Sequence, residues 1–403
     1  MGSEAERCNI RPLSLRQACA EVKAPMIGAY LHIPFCAYKC HYCDFATSTR
    51  TEEFGKRYCQ ILEREIKDRL SEAADKPHIS TVFYGGGTPG LLDIEYLNQI
   101  HGTLLKNIVL LTDYEISLET NPETVTREKA KIWREIGINR LSIGIQSFND
   151  SELTALGRGH SSTDAIKAIE IASDVGFDNI NCDLMYGLPG QNLTSWQNSI
   201  NSFIKLANKY PQIKHVSAYG LELSPAAPLI KMIPLGSNAY PSEEVFEEQL
   251  KYLVTALEQA GFMQYEISNF AKSGYECRHN LNYWKQGEYH AFGVSAHRYI
   301  KPYRSSNWRS LGRYLDDCLT NETCELIDQD LARTEAVMLG LRMNDGLNLK
   351  LFKQSYGEDL LDTHKEIIEK LIAHNLLAHT ADRLKLTILG QPVANTIIGE
   401  FLQ

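Results

Sequence analysis

The sequence has no run near the roughly 20 consecutive apolar residues that a membrane-spanning helix needs, so an integral helical membrane protein is not expected. It also lacks a basic excess. Lys and Arg total 41 against 50 Asp and Glu, leaving a net charge of −9. A sequence-independent grip on nucleic acid relies on a Lys/Arg-rich face, and nucleic acid is therefore not an expected partner. The first 25 residues have no apolar core of the secretory type. They mix Glu4, Glu6 and Glu21 with Arg7, Arg11 and Arg16, and these acidic residues count against an organelle-targeting segment. GGGTPG (residues 85–90) has the G-x-G-x-x-G spacing, but a lone match is a weak signal and a dinucleotide site is not expected. The ten cysteines do not suggest a disulfide scaffold, because most sit singly inside helical or strand-like patterns. Cys59, Cys182 and Cys318 read as small buried apolar residues. The expected compartment is cytoplasmic, with thiols reduced.

What is present is an alternating pattern. The 403 residues suffice for two or three domains, and 43% hydrophobic with 23% charged residues is ordinary for a soluble globular chain. From Gly28 to about Glu258, β-branched apolar runs end in polar or Gly-rich residues and are followed by amphipathic stretches. The runs are GAYLHIPF, ISTVFYGGG, YEISLET, RLSIGIQSF, NINCDLMYGLPG and KHVSAYGLEL; the helical stretches include EEFGKRYCQILEREIKDRL and STDAIKAIEIASDVG. Such alternation predicts parallel strands with right-handed crossovers. Six units are too few for a closed eight-fold barrel and predict an open, partial one. The expected division is an N-terminal extension (1–27), an α/β barrel (28–260), an aromatic-rich mixed segment (261–325) and a small, mostly helical, winged-helix-like domain (326–403). With no basic excess, the last is expected to be a packing or interaction module.

Ligands of parallel α/β folds sit at the carboxyl ends of the strands. There the first run leads into Cys36, Cys40 and Cys43, and the second into Gly85-Gly86-Gly87-Thr88. The third leads into Glu119, the fourth into Gln146 with Arg158 soon after, and the fifth into Asp183. Each has a plain alternative: a tight turn for the glycines, a solvated carboxylate for Glu119, a structural ion pair for Arg158 with Asp183. Six together predict a site. Within CAYKCHYC the thiols follow C-x3-C-x2-C. Zinc with His32 or His41 as fourth ligand is one reading, although structural zinc more often uses two separated pairs. Three thiolates on a [4Fe–4S] cube, one iron left open, is the other.

CAYKCHYC followed by YGGGTP resembles the radical S-adenosylmethionine (SAM) superfamily. Its branch of oxygen-independent coproporphyrinogen III oxidases and HemW heme chaperones is the nearer resemblance, through YLHIPFC, SLETNPE, LGRGH, DLMYGLPGQ, YEISNFA and HNLNYW in order. The resemblance implies a partial (β/α)6 TIM-like radical-SAM barrel, a [4Fe–4S] cluster on Cys36, Cys40 and Cys43, and SAM on its open iron. Tyr30, Gly86 and Glu119 would contact that SAM, with Tyr42 also assigned to SAM. Gly87, Thr88, Gln146, Arg158 and Asp183 match a second SAM site of the oxidases.

Two departures favour heme delivery over oxidase chemistry. The oxidases carry a further cysteine where this chain has Phe45, and a longer region ahead of the cluster than the 29 residues before Tyr30. HNLNYW matches a heme-associated motif, which makes His279 the expected heme contact with Tyr283 and Trp284 shaping its site; a packed core segment is the plain alternative. Heme, acceptor haemoproteins and an electron donor are the implied partners, while membrane contact and oligomeric state stay open. Coproporphyrinogen III oxidase is the alternative activity.

Overall fold

The six apolar runs become six strands, β1 (Gly28–Ile33), β2 (His78–Gly86), β3 (Val109–Thr120), β4 (Arg140–Gln146), β5 (Ile180–Tyr186) and β6 (Ile213–Gly220), each pairing in parallel with the next. The structure, a computed structural model, describes residues 27–71, 75–225, 227–233, 237 and 239–402, so the expected N-terminal extension lies almost wholly outside the described residues. Between the strands run helices α1 (Thr51–Ser71), α2 (Ile94–Asn107), α3 (Arg127–Glu135), α4 (Asp150–Ala155), α5 (Ser162–Asp174) and α6 (Leu193–Lys209). Strands β1 and β6 do not pair, so the barrel is open.

The helices form where the sequence supplies both caps and a face. In α1, Tyr58, Leu62, Ile66 and Leu70 recur every fourth residue and are buried in the main core. Thr126 caps α3 by accepting from Lys129 N, and capping boxes open α5 (Ser161, Asp164) and α6 (Asn192, Ser195). Cys59, Cys182 and Cys318 are buried in the same core, as small apolar residues should be. Trp133 and Trp196 are its largest fully buried side chains.

After β6 come α7 (Pro228–Met232) and α8 (Glu243–Gln259), and the chain then extends the same sheet at both edges. The hairpin β7 (Met263–Glu266) and β8 (Asn269–Ala271) pairs antiparallel with β6. Helix α9 (Arg278–Trp284) follows, then β9 (Tyr289–Phe292), which joins β1 in parallel. Strands β10 (His297–Ile300) and β11 (Tyr303–Asn307), helix α10 (Leu311–Asp316) and strand β12 (Asn321–Leu326) complete that edge, the three strands in antiparallel order. The aromatic-rich segment is thus continuous with the barrel sheet.

A second core, built on Val337, Leu341, Phe352, Leu371, Leu384 and Ile397, holds the C-terminal helices. These are α11 (Gln329–Gly340), α12 (Leu349–Tyr356), α13 (Leu360–Thr363), α14 (Lys365–Ala373) and α15 (Ala394–Glu400), with a small sheet of β13 (Leu347–Asn348), β14 (Leu377–Thr380) and β15 (Arg383–Leu386). The expected β-like piece RLKLTILG contains β15, and its hairpin partner β14 was not expected. LAHT carries little apolar pattern, and His379 and Thr380 are exposed. Among the described residues no helix is long and apolar enough to cross a membrane.

Candidate functional site

Closed barrels usually fill their interior with bulky branched side chains. Here the inward positions of β3 to β6 carry Glu119, Arg140, Ser142, Gly144, Gln146, Asn181, Asp183 and Ser217, and a cavity of about 650 Å3 remains. Cys36, Cys40 and Cys43 line its mouth, on the loop that leaves β1. The loop is tied down by Cys36 N donating to Ser48 O at 3.0 Å and His41 N to Leu156 O at 3.0 Å.

The thiols share one hydrogen-bond chain. Thr88 Oγ1 donates to Cys36 Sγ at 3.8 Å, Asn121 Nδ2 donates to Thr88 Oγ1 at 3.2 Å, and Arg158 Nη2 donates to Asn121 Oδ1 at 2.7 Å. Arg158 Nη1 then reaches Cys40 Sγ at 3.3 Å. Burial pushes the Cys36 thiol up to about 11 and raises that of Cys43. Among the described residues no three His, Cys, Asp or Glu side chains gather as ligands of one metal ion. His32 has Nδ1 on Tyr30 Oη (3.0 Å) and Nε2 on Ala46 O (3.1 Å), while His41 Nδ1 meets Ala155 O at 3.0 Å. Both ring nitrogens of His32 are thus engaged, and one of His41. A cubane instead spreads its thiolates over separate corner irons, which suits thiols arranged round a cavity mouth.

The glycines act by close approach. A Cβ on Gly87 would stand 2.7 Å from Phe35 O and 2.9 Å from Cys36 Sγ, so only glycine lets this strand end pass beneath the cysteine loop. Gly86, at φ +116, donates its amide to Glu119 Oε2 at 3.0 Å. Burial, and then Asp183, pushes Glu119 up to about 7, so its carboxylate suits a cationic ligand group. Gln146 adopts a left-handed φ of +67 at a register shift in β4, strain that accompanies a polar side chain lining the cavity.

Two expectations need correcting. Asp183 is not at a strand end: β5 continues to Tyr186, and Asp183 lies midway, accepting from Ser142 Oγ (3.1 Å) and Asn181 Nδ2 (2.8 Å). Nor does it pair with Arg158, whose guanidinium is taken by Cys40, Asn121 and the Gly144 carbonyl (2.7 Å). Tyr30, Tyr42, Gly86, Gly87, Thr88, Glu119, Gln146, Arg158 and Asp183 all line the one cavity.

HNLNYW folds as α9 against the amino-terminal ends of the barrel strands. Glu115 of β3 accepts from the amides of Arg278 and His279, both at 3.2 Å, at the start of that helix. His279 is 1% exposed, with Nδ1 on Thr81 Oγ1 at 2.9 Å and Nε2 on Tyr283 Oη at 2.7 Å. Burial, with Arg140 adding to it, lowers it to about 3, so the ring is neutral. His279 and Tyr283 line the inner part of the cavity; Trp284 does not, lying behind Arg342, whose guanidinium carbon is 6.0 Å from its ring. Asn121, Arg140, Ser142, Asn181 and Ser217 were not anticipated as site residues. For Ser142, Asn181 and Ser217 the signal was the alternation of polar and apolar residues along RLSIGIQ, INCDLMY and IKHVSAYG.

An open six-stranded α/β barrel with three cysteines at the mouth of a polar lumen defines a radical-SAM-type protein. The family model of the Radical SAM superfamily matches residues 30–203, and that of the HemN C-terminal domain residues 327–393. The chain superposes on the coproporphyrinogen III oxidase (HemN) of Escherichia coli, a radical SAM enzyme, with a TM-score of 0.81, covering 94% of this chain and 90% of that one. At 23% identity that likeness establishes the fold. Over nearly the full chain, the relatives are heme chaperones. HemW of Bacillus subtilis (strain 168) is 34% identical, covering 94% of this chain and 99% of the relative. HemW of Mycobacterium tuberculosis (strain ATCC 25618 / H37Rv) is 34% identical over 96% and 99%, and that of Escherichia coli (strain K12) 32% over 94% and 99%. The chain belongs to the HemW heme chaperone family.

Proposed function

We propose that the protein holds a [4Fe–4S] cluster on Cys36, Cys40 and Cys43, binds SAM and heme, and passes heme to acceptor haemoproteins. The observation that carries this is one cavity reaching from the cysteine loop to the HNLNYW helix, in a chain matched over 94% of its length by a heme chaperone. The donor set fits a cluster: three free thiols, a glycine cradle at Gly87, and Arg158 beside Cys40 to offset thiolate charge. When bound, the cluster supplies an open iron and a one-electron donor. The chain's own part is to bind and orient. Tyr30, Gly86 and Glu119 would contact the SAM on the open iron, Glu119 accepting from its amino group with its carboxylate held by the Gly86 amide and Tyr42 beside them, while Gly87, Thr88, Gln146, Arg158 and Asp183 would line a second SAM site.

Heme contact is assigned to His279, with Tyr283 beside it and Trp284 supporting that wall through Arg342. Ligation through His279 requires the ring to release Thr81 or Tyr283, since both nitrogens are bonded. A cytoplasmic location and an electron-donor partner belong to the same proposal.

The second reading is oxidative decarboxylation of coproporphyrinogen III. It draws on Gln146, Arg158 and Asp183 sharing the cavity. Against it stands Phe45, 64% exposed at the cavity mouth, where the resembling oxidases have another cysteine. The test is anaerobic: reconstituted protein is given coproporphyrinogen III, SAM and reductant, and separately loaded with heme and mixed with an apo-haemoprotein. Heme transfer without protoporphyrinogen is expected. Protoporphyrinogen formation overturns the choice.

A further inference from the structure

Arg140 is the first residue of β4 and one of the largest fully buried side chains in the protein, at 2% exposure. A buried charge needs a partner of opposite sign or a full set of hydrogen bonds. Arg140 has neither. Among the described residues its guanidinium makes one hydrogen bond, Nη1 to Ser117 Oγ at 3.5 Å, and its Nε has no partner. The nearby carboxylates are committed elsewhere. Glu115 accepts from the Arg278 and His279 amides and from Cys277 Sγ at 3.6 Å, and Asp183 from Ser142 and Asn181. Burial opposes the charge, but a guanidinium stays protonated even so, and the Glu115 and Asp183 carboxylates nearby favour it.

The register places this group in depth. Arg140 lies opposite Ser117 of β3, which lies opposite Phe83 of β2, and Phe83 opposite Tyr30 of β1. That layer is just above the floor where His279 meets Thr81, and the His279 ring stacks on Phe83 at 5.2 Å between centroids. The cysteine loop leaves the opposite, carboxyl end of β1. So the inner end of the cavity presents an under-bonded guanidinium beside a face of aromatic rings: Tyr30, Phe83, His279 and Tyr283. A flat apolar body with a carboxylate at its edge is complementary to that combination.

We propose that Arg140 anchors a carboxylate of the ligand occupying the inner end of the cavity, and that this ligand is heme, held by a propionate. The assignment of heme rests on the function proposed above; the carboxylate chemistry rests on the site. The methionine carboxylate of SAM is the other source of the same group.

The experiment uses the full chain with its cluster reconstituted. Heme, heme dimethyl ester, SAM and decarboxylated SAM are each titrated into wild type and Arg140→Gln. A charge-assisted hydrogen bond in a buried site amounts to about tenfold in affinity. Wild type is expected to prefer heme over its diester by about that factor, the variant to lose the preference, and both to bind SAM alike. An unchanged heme preference in the variant overturns the heme assignment. If the variant instead loses its preference for SAM over decarboxylated SAM, the carboxylate is that of SAM. If neither preference changes, Arg140 is no anchor. Failure of wild type to bind heme or its diester sinks the chaperone reading alone, and Arg140 is then judged by the SAM pair. Should Arg140→Gln fail to fold, Arg140→Lys reads the same comparison. It keeps the charge but not the planar fork, and a partial loss of preference is expected.

Discussion

At the scale of single residues, the site is made by small groups rather than large ones. Gly87 is the clearest case, because a methyl group there collides with backbone at Phe35 and with Cys36 Sγ. Gly87→Ala is expected to lower iron and sulfide per chain severalfold after reconstitution, while circular dichroism and the melting temperature stay near wild type. A cluster content equal to wild type would show that the cysteine loop can shift to make room. Glu119 gives a second prediction. Burial holds its carboxyl protonated up to about 7, and the N–H donors of the SAM amino group prefer the ionised form. SAM affinity should therefore rise as pH goes from 6 to 8 and level off above. Glu119→Gln should bind weakly and without that rise, as read by equilibrium titration at each pH. The cysteines, glycines and Glu119 were legible because motifs mark them. Arg140 was not: in RLSIGIQ it reads as a polar residue opening a strand, and only its register against Ser117 shows that it lies inside the barrel.

At the scale of elements, one carboxylate ties the longest helix to the accessory strands. Glu65 of α1 is fully buried and bonded to Arg69 Nε (2.8 Å), Asn307 Nδ2 (2.7 Å), Gly293 N (2.8 Å) and Tyr314 Oη (2.7 Å). Those partners come from α1, β11, the segment after β9, and α10. Removing the carboxylate leaves a nearly buried arginine and three other donors without it, at a cost of about 3–5 kcal/mol for Glu65→Ala. Tyr314→Phe removes one donor only and should cost about 1 kcal/mol. Chemical denaturation measures both, and equal costs would refute a network centred on Glu65. The amphipathic period of α1 was plain in the sequence, but Glu65 stands on its buried face, where periodicity predicts an apolar residue. What placed it there is a strand more than two hundred residues away, beyond the reach of any local pattern. The same holds for β7 to β12: as short pieces they were visible, but that they extend both edges of the barrel sheet depends on pairings distant in the chain.

At the scale of the whole molecule, two cores meet along the β7–β8 hairpin. Gln264 and Gln391 exchange amide hydrogen bonds at 2.9 and 3.2 Å, Ile267 N donates to Arg342 O at 3.1 Å, and Asn344 N to Tyr265 O at 3.0 Å. Arg342, Gln391 and Pro392 of the C-terminal part also line the cavity, so the contact that joins the cores helps to enclose the ligand space. Glu266 sits in this seam, bridged to Met343 and 3% exposed, with its carboxyl bonded by Asn269 Nδ2 and Ser268 N. Burial pushes it up to about 7 against an ordinary 4.5, outweighing those hydrogen bonds and Arg342. The folded protein therefore keeps this proton over a range in which the unfolded chain has released it. Stability falls as pH rises from about 4.5 to 7, and the contribution then levels off at about 3 kcal/mol below its acidic value. Glu266→Gln, which cannot ionise, should remove that decline. Its gain over wild type should be small at pH 5 and largest above pH 7, in denaturation midpoints taken across the range. A variant whose difference from wild type is the same at pH 5 and pH 8 would show that Glu266 does not carry its proton into the folded state.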